Sequence, residues 1–348
     1  MNSSLFLAIT NSGLARVEQQ ADDRWSVKTL LASQNPRCLT ADPLNPDVVY
    51  TAVDGQGVLR SDDRGQSWQV VGNPGYDVRS LAVSPHPSTG SGTGLLYAGV
   101  RPASVCVSHD SGQTWSELEG FHRIRGRRLW RSPAEPPDWR AYVMGLTVSP
   151  TDPNVIVAGV EFGALVRSDD GGCTWSNHRK GAVRDCHSLT FHATNGNWVY
   201  EAGGGGAAVS RDGGITWQQP KDGLDRRYGW ACAADAERPE VWYVSASPMF
   251  SGGLSFEPPA HRPGKSNAAI YRSAGGAPWE KLGGGLPDPL HYMANALATD
   301  PQSPGHLYAG LADGDVWQTA DYGDSWQKLP FNLGAVYKLL LLPEKPGS

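Results

Sequence analysis

The sequence predicts an all-β fold: a seven-bladed β-propeller of four-stranded antiparallel blades, closed by its C-terminal strand. Three observations predict it. One eight-residue unit recurs along the chain, short strand-like runs fill the intervals, and the two ends carry complementary parts of one blade. The unit is Ser-Asp-Asp-Arg-Gly-Gln-Ser-Trp at 61–68, and it returns at 108–115, 168–175, 210–217 and 319–326. A worn copy runs from Ser273 to Trp279, and a relic ends at Trp25. The anchoring tryptophans Trp25, Trp68, Trp115, Trp175, Trp217, Trp279 and Trp326 are 43, 47, 60, 42, 62 and 47 residues apart. Self-similarity at roughly 40–50 residues, with short strands inside each period, is the mark of a propeller or a similar array.

Each period reads as four strands. In the second complete repeat they are Arg79-Ser-Leu-Ala-Val-Ser, Leu95-Leu-Tyr-Ala-Gly-Val, Ser104-Val-Cys-Val-Ser and Thr114-Trp-Ser-Glu-Leu. Such β-branched and aromatic runs, punctuated by Gly, Pro and Asp, are the expected strand signal. A Pro turn follows the opening strand at Asp42-Pro43, Ser84-Pro85, Ser149-Pro150 and Asp300-Pro301, where the ring presets φ. The N-terminal repeat has only three strands, at 5–10, 14–18 and 25–30. Its missing opening strand stands at the far end as residues 335–342, and joining the two would leave no exposed sheet edge.

The repeat unit itself reads as a turn. Asp and Ser side chains can bond the local backbone, Gly accepts positive φ, and the Trp starts the next strand as an apolar plate. It resembles the Asp-box, or BNR, repeat of sialidases, sortilin-type receptors, xyloglucanases and the photosystem II assembly factor. The resemblance implies a structural turn remote from the functional face. A calcium loop at Asp62/Asp63 or Asp169/Asp170 is the alternative, but the alternating oxygen ligands and terminal Glu of such loops are missing.

With 348 residues, 42 Gly, 26 Pro and 13 Trp, one propeller over residues 1–348 accounts for the chain. The net charge of −5 argues against nucleic acid as a partner. There is no apolar run of the ~18 residues a membrane span needs, and the first residues lack a basic leader region, so a soluble, cytoplasmic protein is expected. Cys38, Cys106, Cys173, Cys186 and Cys232 are scattered without a Cys-x-x-Cys pair, so neither a disulfide framework nor a metal site is expected. No cofactor motif is present.

Two insertions break the period. The first, 121–140, carries Arg123, Arg125, Arg127, Arg128, Arg131 and Arg140, and is a candidate protein-docking surface. The second, 247–267, is rich in Gly and Pro.

Aligning the opening strands on a shared leucine places Arg37, Arg79, Met144, His187, Trp230, Asn295 and Tyr337 at one position, expected near the mouth of the central channel. With Arg101, whose fork matches carboxylates and phosphates, these point to an anionic ligand, such as an acidic saccharide. Tyr228, Trp230, Tyr292 and Tyr337 are candidate stacking groups. Alternatively, Arg37 and Arg79 make ion pairs lining the channel, and Trp230 caps the core. For bond cleavage, Glu161 and Glu201 are the candidate carboxylate pair of a glycosidase. His187 or Tyr337 is the candidate base of an elimination. The chain departs from sialidases, since no Phe-Arg-Ile-Pro precedes the first box and Arg123-Ile-Arg125 lies in an insertion. Xyloglucanases of the family use two propellers, and this chain has room for one. The competing reading is a non-catalytic scaffold that docks a partner through its basic face.

Overall fold

The computed structural model describes residues 4–87, 94–250 and 257–343. The repeat boxes fold as expected, and the reason is visible in their bonding. In the first, Asp63 Oδ1 accepts from the backbone N–H groups of Gln66 and Ser67, both at 2.9 Å, and from Ser61 Oγ at 2.7 Å. Its Oδ2 accepts from Ser67 Oγ at 2.6 Å. Arg64 and Gly65 are both left-handed, with φ of 60° and 81°, and the Trp68 indole N–H closes the turn on Gly65 O. Asp110, Asp170, Asp212 and Asp321 each repeat this pattern, and in each box the Trp donates to the Gly carbonyl. Burial would raise the Asp63 carboxyl, but the hydroxyl and backbone donors hold it down to about 2. The worn sixth copy lacks this bonding, and the Trp279 indole donates instead to Pro220 O.

Between the boxes lie the strands. β1 (Leu5–Thr10), β2 (Gly13–Gln19) and β3 (Trp25–Leu30) begin the chain. β4 (Pro36–Asp42), β5 (Asn45–Val53), β6 (Gly57–Ser61) and β7 (Gln69–Gly72) form the next sheet. β8 (Asp77–Pro87), β9 (Gly94–Arg101), β10 (Ser104–Ser108) and β11 (Ser116–Glu117) form another. Two three-stranded sheets follow: β12 (Val143–Val148), β13 (Ile156–Val160) and β14 (Leu165–Ser168), then β15 (Cys186–Phe191), β16 (Val199–Gly203) and β17 (Gly206–Ser210). β18 (Tyr228–Ala234), β19 (Val241–Ser247), β20 (Ala269–Ala274) and β21 (Glu280–Lys281) make the sixth sheet. β22 (Ala294–Thr299), β23 (Leu307–Leu311), β24 (Asp315–Thr319) and β25 (Gln327–Asn332) make the seventh. The last strand, β26 (Val336–Leu342), pairs antiparallel with β1, so the first sheet reads β26-β1-β2-β3. The fold is a seven-bladed β-propeller of antiparallel sheets, and the C-terminal strand completes the first blade as expected.

The expected fourth strand is absent from two sheets among the described residues. After Trp175 the chain still follows β14, but side chains share the pairing. Leu165 N–H donates to His178 Nδ1 at 3.1 Å and Arg167 N–H to Ser176 Oγ at 2.9 Å, while Ser176 and Arg179 return backbone bonds. Side-chain acceptors thus replace half of a ladder.

The chain divides into two compact units, residues 34–199 with 210–218, and residues 1–33, 200–209 and 219–348. In the first of these, which contains the 121–140 insertion, β4, β8, β12 and β15 pack side by side. Between the β8–β10 and β12–β14 strands lies a core that includes Tyr97, Val105, Val143, Leu146, Ile156, Val160 and Phe121 of the insertion. In the other, β18, β22 and β26 pack together, with Phe6 set between Trp25, Tyr308 and Phe331. No helix among the described residues is long and apolar enough to cross a membrane.

The 121–140 insertion is anchored. Short 3-10 turns at Glu119–Arg123 and Arg127–Leu129 bury Phe121, whose ring meets Trp175 edge-on at 5.2 Å. Arg127 donates twice to Ala103 O, and Arg131 bridges Arg140. Within the 247–267 insertion, residues 251–256 lie outside the described set. The chain returns through a 3-10 turn at Pro259–His261.

Candidate functional site

The aligned opening-strand positions share a backbone feature. The pairing of β4 with β5 skips at Arg37, that of β8 with β9 at Arg79, and that of β12 with β13 at Met144. The same break falls at Asn295 in β22 and Tyr337 in β26, and in β18 it spans Trp230 and Ala231. Each is a β-bulge, in which the extra residue leaves the ladder and its side chain is re-aimed. In each of these strands the aligned position therefore falls at a break in the regular alternation.

What the side chains do differs between units. In the unit of residues 34–199, Arg37 grips both carboxylate oxygens of Asp54 through Nε at 2.9 Å and through Nη2 at 2.5 Å. Asp54, which follows β5, is held by Asn35 Nδ2 at 2.7 Å. Arg79 donates Nη1 and Nη2 to the two oxygens of Glu135 at 2.5 and 2.7 Å, and Nη2 also reaches Asp77 at 2.6 Å. Arg101, paired in register with Asp77, donates Nη1 to Glu135 at 2.7 Å. Its Nη2 lies 2.9 Å from Asp77 and its Nε 3.4 Å from Asp138, which also binds Arg140. Four arginines thus meet four carboxylates. These four arginines, expected to await an anionic ligand in the case of Arg37, Arg79 and Arg101, are paired within the chain, and the ion-pair alternative describes Arg37 and Arg79 as they stand.

The electrostatics follow from burial and pairing. Pairing with Arg79 outweighs burial and, with Arg101, holds the Glu135 carboxyl down to about 2. Burial works against the Arg79 charge, but Glu135 and Asp77 more than offset it and raise its pKa. Both arginines lie over the Tyr142 ring, with Cζ at 4.8 Å for Arg79 and 5.9 Å for Arg101.

Tyr142 connects this cluster to the next. It interacts with Glu161, a carboxyl that burial pushes up although Tyr142 and the nearby His187 work the other way. Ser132 Oγ also reaches Glu161, at 3.4 Å, and His187 Nε2 lies 3.5 Å from Asp185. Asp185 in turn accepts the N–H of Phe162, a half-exposed aromatic at φ 49°. Arg79, Arg101, Glu161 and His187 are therefore brought together. Arg37 joins Arg101 along a cleft of about 760 Å³ that Asp54, Tyr76, Asp77 and Arg140 also line.

The remaining candidates fall in the other unit. Glu201 is fully buried within β16, with no surface to present to a substrate. Asn295 is buried and spends its amide on Val336 O at 2.9 Å. Tyr228 is hydrogen-bonded to His261 at 2.8 Å, and both it and Trp230 pack edge-on against the His261 ring or nearby. Tyr337 is exposed and Tyr292 half-buried.

Sequence reasoning missed Asp77, Glu135, Asp138 and Tyr142. Signals existed for the acids: Asp77 stands two residues from Arg79 on one strand face, and Glu135 and Asp138 interrupt an otherwise basic run. For Tyr142 there was none.

Comparison with known proteins gives two kinds of likeness. The BNR/Asp-box repeat family matches residues 208–219, the fourth complete box and its flanks. A curated xyloglucanase of Paenibacillus sp is 28% identical over 251 residues, covering 60% of this chain and 24% of that protein. The chain thus spans about a quarter of the length of that relative. Among solved structures, an ancestral GH74 enzyme superposes with a TM-score of 0.60 at 20% identity, over 88% of this chain and 38% of its own. A YCF48 structure bound to D1 peptide superposes with a TM-score of 0.55 at 14% identity, over 91% of this chain and 95% of its own. At these identities the structural matches speak for the fold alone.

Proposed function

We propose that this chain, a β-propeller built on BNR/Asp-box repeats, is a saccharide-binding protein whose ligand sits in the cleft beside Arg37, Arg101 and Tyr76. The observation that carries the reading is the cleft itself. About 760 Å³ bounded by paired arginine and carboxylate groups is of the size and polarity a small oligosaccharide needs. Each guanidinium there keeps its counter-charge, so the surface offers donors and acceptors to sugar hydroxyls without a large net charge. Tyr76, 40% exposed and tethered to Glu117 at 3.0 Å, offers a ring face for stacking. The xyloglucanase relative supports a carbohydrate ligand. Cleavage is not part of the reading: of the expected carboxylate pair, Glu201 is fully enclosed and Glu161 is engaged with Tyr142 and Ser132. Calorimetric titration with xyloglucan heptasaccharide and with trigalacturonate tests it. Binding of either that weakens at least tenfold in Tyr76→Ala and Arg37→Ala is expected, and no binding of either sugar would end the saccharide reading.

A second reading has its own observation. Leu129 is 83% exposed and Trp139 52% exposed, among the exposed Arg123, Arg125, Arg128 and Arg131. An apolar tip ringed by cations suits an acidic protein segment, and a fold match to a peptide-bound propeller is consistent with that use. If no saccharide binds, and Leu129→Glu abolishes cross-linking to a purified partner, docking replaces ligand binding as the function.

A further inference from the structure

We propose that the turn Glu135-Pro136-Pro137-Asp138 is an in-chain occupant of a carboxylate-binding site formed by Arg79 and Arg101, and that the saccharide carries a carboxylate that exchanges with Glu135. The inference rests on the saccharide reading of the neighbouring cleft. It names the substrate class and explains why a site built from arginines shows no net charge.

The receptor half of the site is buried. Arg79 and Arg101 project from adjacent strands of one sheet, with side-chain exposures of 6% and 13%, and Tyr142 backs both guanidiniums. Asp77 bridges them from within the same sheet, at 2.6 and 2.9 Å. The occupant half comes from elsewhere. Glu135 is 56 residues away from Arg79 in sequence, sits in the 121–140 insertion, and keeps 36% of its side chain open to solvent. Its two oxygens take one N–H from each of three guanidinium nitrogens, the fork geometry by which arginines bind a free carboxylate. The turn is closed by the Asp138 N–H on Glu135 O at 3.0 Å, and Asp138 delivers the second acid to Arg101.

Exchange is chemically balanced. One carboxylate replaces another, so neither buried guanidinium is left without a counter-charge, and only the loop contact is given up. An uncharged sugar cannot make this swap. The outgoing Glu135 is already half in water, next to the open cleft, so it has somewhere to go. Because the competitor is tethered, a ligand meets a high effective concentration of Glu135, and removing that carboxylate exposes the full affinity of the site.

The test compares wild type with Glu135→Gln, which leaves Asp77 on both arginines. Trigalacturonate and its methyl ester are titrated into each protein. The expected result is tenfold or greater tightening for the acid in Glu135→Gln and an unchanged response to the ester. Trypsin supplies an independent readout, since Arg125, Arg128 and Arg131 are exposed in the same insertion. Cleavage there is expected to be faster in Glu135→Gln, and faster in wild type when trigalacturonate is added. Equal tightening for acid and ester, or no tightening, overturns the exchange. So does unchanged cleavage in Glu135→Gln, which would show that Glu135 does not hold the turn. Wild type that binds xyloglucan heptasaccharide while these arms fail would leave the cleft reading standing and remove only the exchange. Failure of every sugar, with cleavage still accelerated in the variant, would remove the cleft reading and the exchange with it, leaving Glu135 only as the tie that holds the turn.

Discussion

At the scale of single residues, the cluster around Arg79 sets the strongest constraint. Its guanidinium is 6% exposed and carries two carboxylates, so Arg79→Ala leaves Asp77 and Glu135 without their main partner. Breaking a buried pair from one side costs a few kcal/mol, and the partly open partners lower the figure, so about 2–4 kcal/mol is expected. Urea unfolding of wild type and variant measures it; a loss within error of zero would mean the pairs contribute nothing to folding. His178 makes the opposite kind of prediction, because it must be neutral at Nδ1 to accept the Leu165 N–H. Burial, with Arg184 adding to it, pushes its pKa down to about 4. The unfolded chain therefore binds the proton more readily, and stability rises with pH wherever the two states differ in protonation. This contribution is complete above the ordinary histidine value of about 6.5 and fades as pH falls towards 4. After allowance for solvent screening, about 1–2 kcal/mol should be lost across that window. Melting curves at pH 7 and pH 4.5 should converge for His178→Gln relative to wild type; a parallel pair would sink the assignment.

At the scale of elements, close approach between neighbouring strands decides which side chains are tolerated. Gly159 in β13 faces Cys186 at the start of β15 so closely that an added Cβ would stand 2.2 Å from its Sγ. The backbone there does not need glycine's conformational freedom; the space does. Gly159→Ala is expected to cost about 1–3 kcal/mol through overpacking, and Cys186→Ala in the same chain should recover only the part due to Sγ, since the Cys186 Cβ would still stand 2.7 Å away. Chemical denaturation of the single and double variants provides the comparison, and additive losses would show that the two residues do not press on each other. The bulges operate at this scale too. Periodic reading of β8 gives Arg79 a place in strict alternation, whereas the skipped pairing between Val78 and Ser80 takes it out of register and sets its direction. An alignment on leucine found the common position without revealing the backbone reason for it.

For the whole molecule, closure by β26 is the feature on which the first blade depends. Six of its residues pair with β1, whose apolar side chains Phe6 to Ile9 are almost fully buried. Removing residues 335–348 should expose β1 as an apolar edge, giving an aggregating or unfolded product. Size-exclusion chromatography reads this out, and a synthetic 335–343 peptide should restore a monomer; a soluble, cooperatively melting truncation would contradict the closure. This much was legible beforehand. The Trp period, the turn chemistry of the boxes and the split first blade are local patterns, repeated often enough that neighbouring copies must stack in series, so the chain alone determined blade number, strand order and closure. The candidate site was legible only in half. Arg37 and Arg79 could be found because the repeat puts them in equivalent places, and Arg101 because it ends the strand beside Arg79, but two of their counter-charges, Glu135 and Asp138, lie in an insertion that obeys no period. Glu135 reaches Arg79 across 56 residues, and Tyr142 meets both arginines only through packing. Whether those arginines face a free ligand or a carboxylate of the chain itself is decided by that distant loop, because an ion pair depends on distance in space and burial, neither of which the spacing of residues along a chain contains.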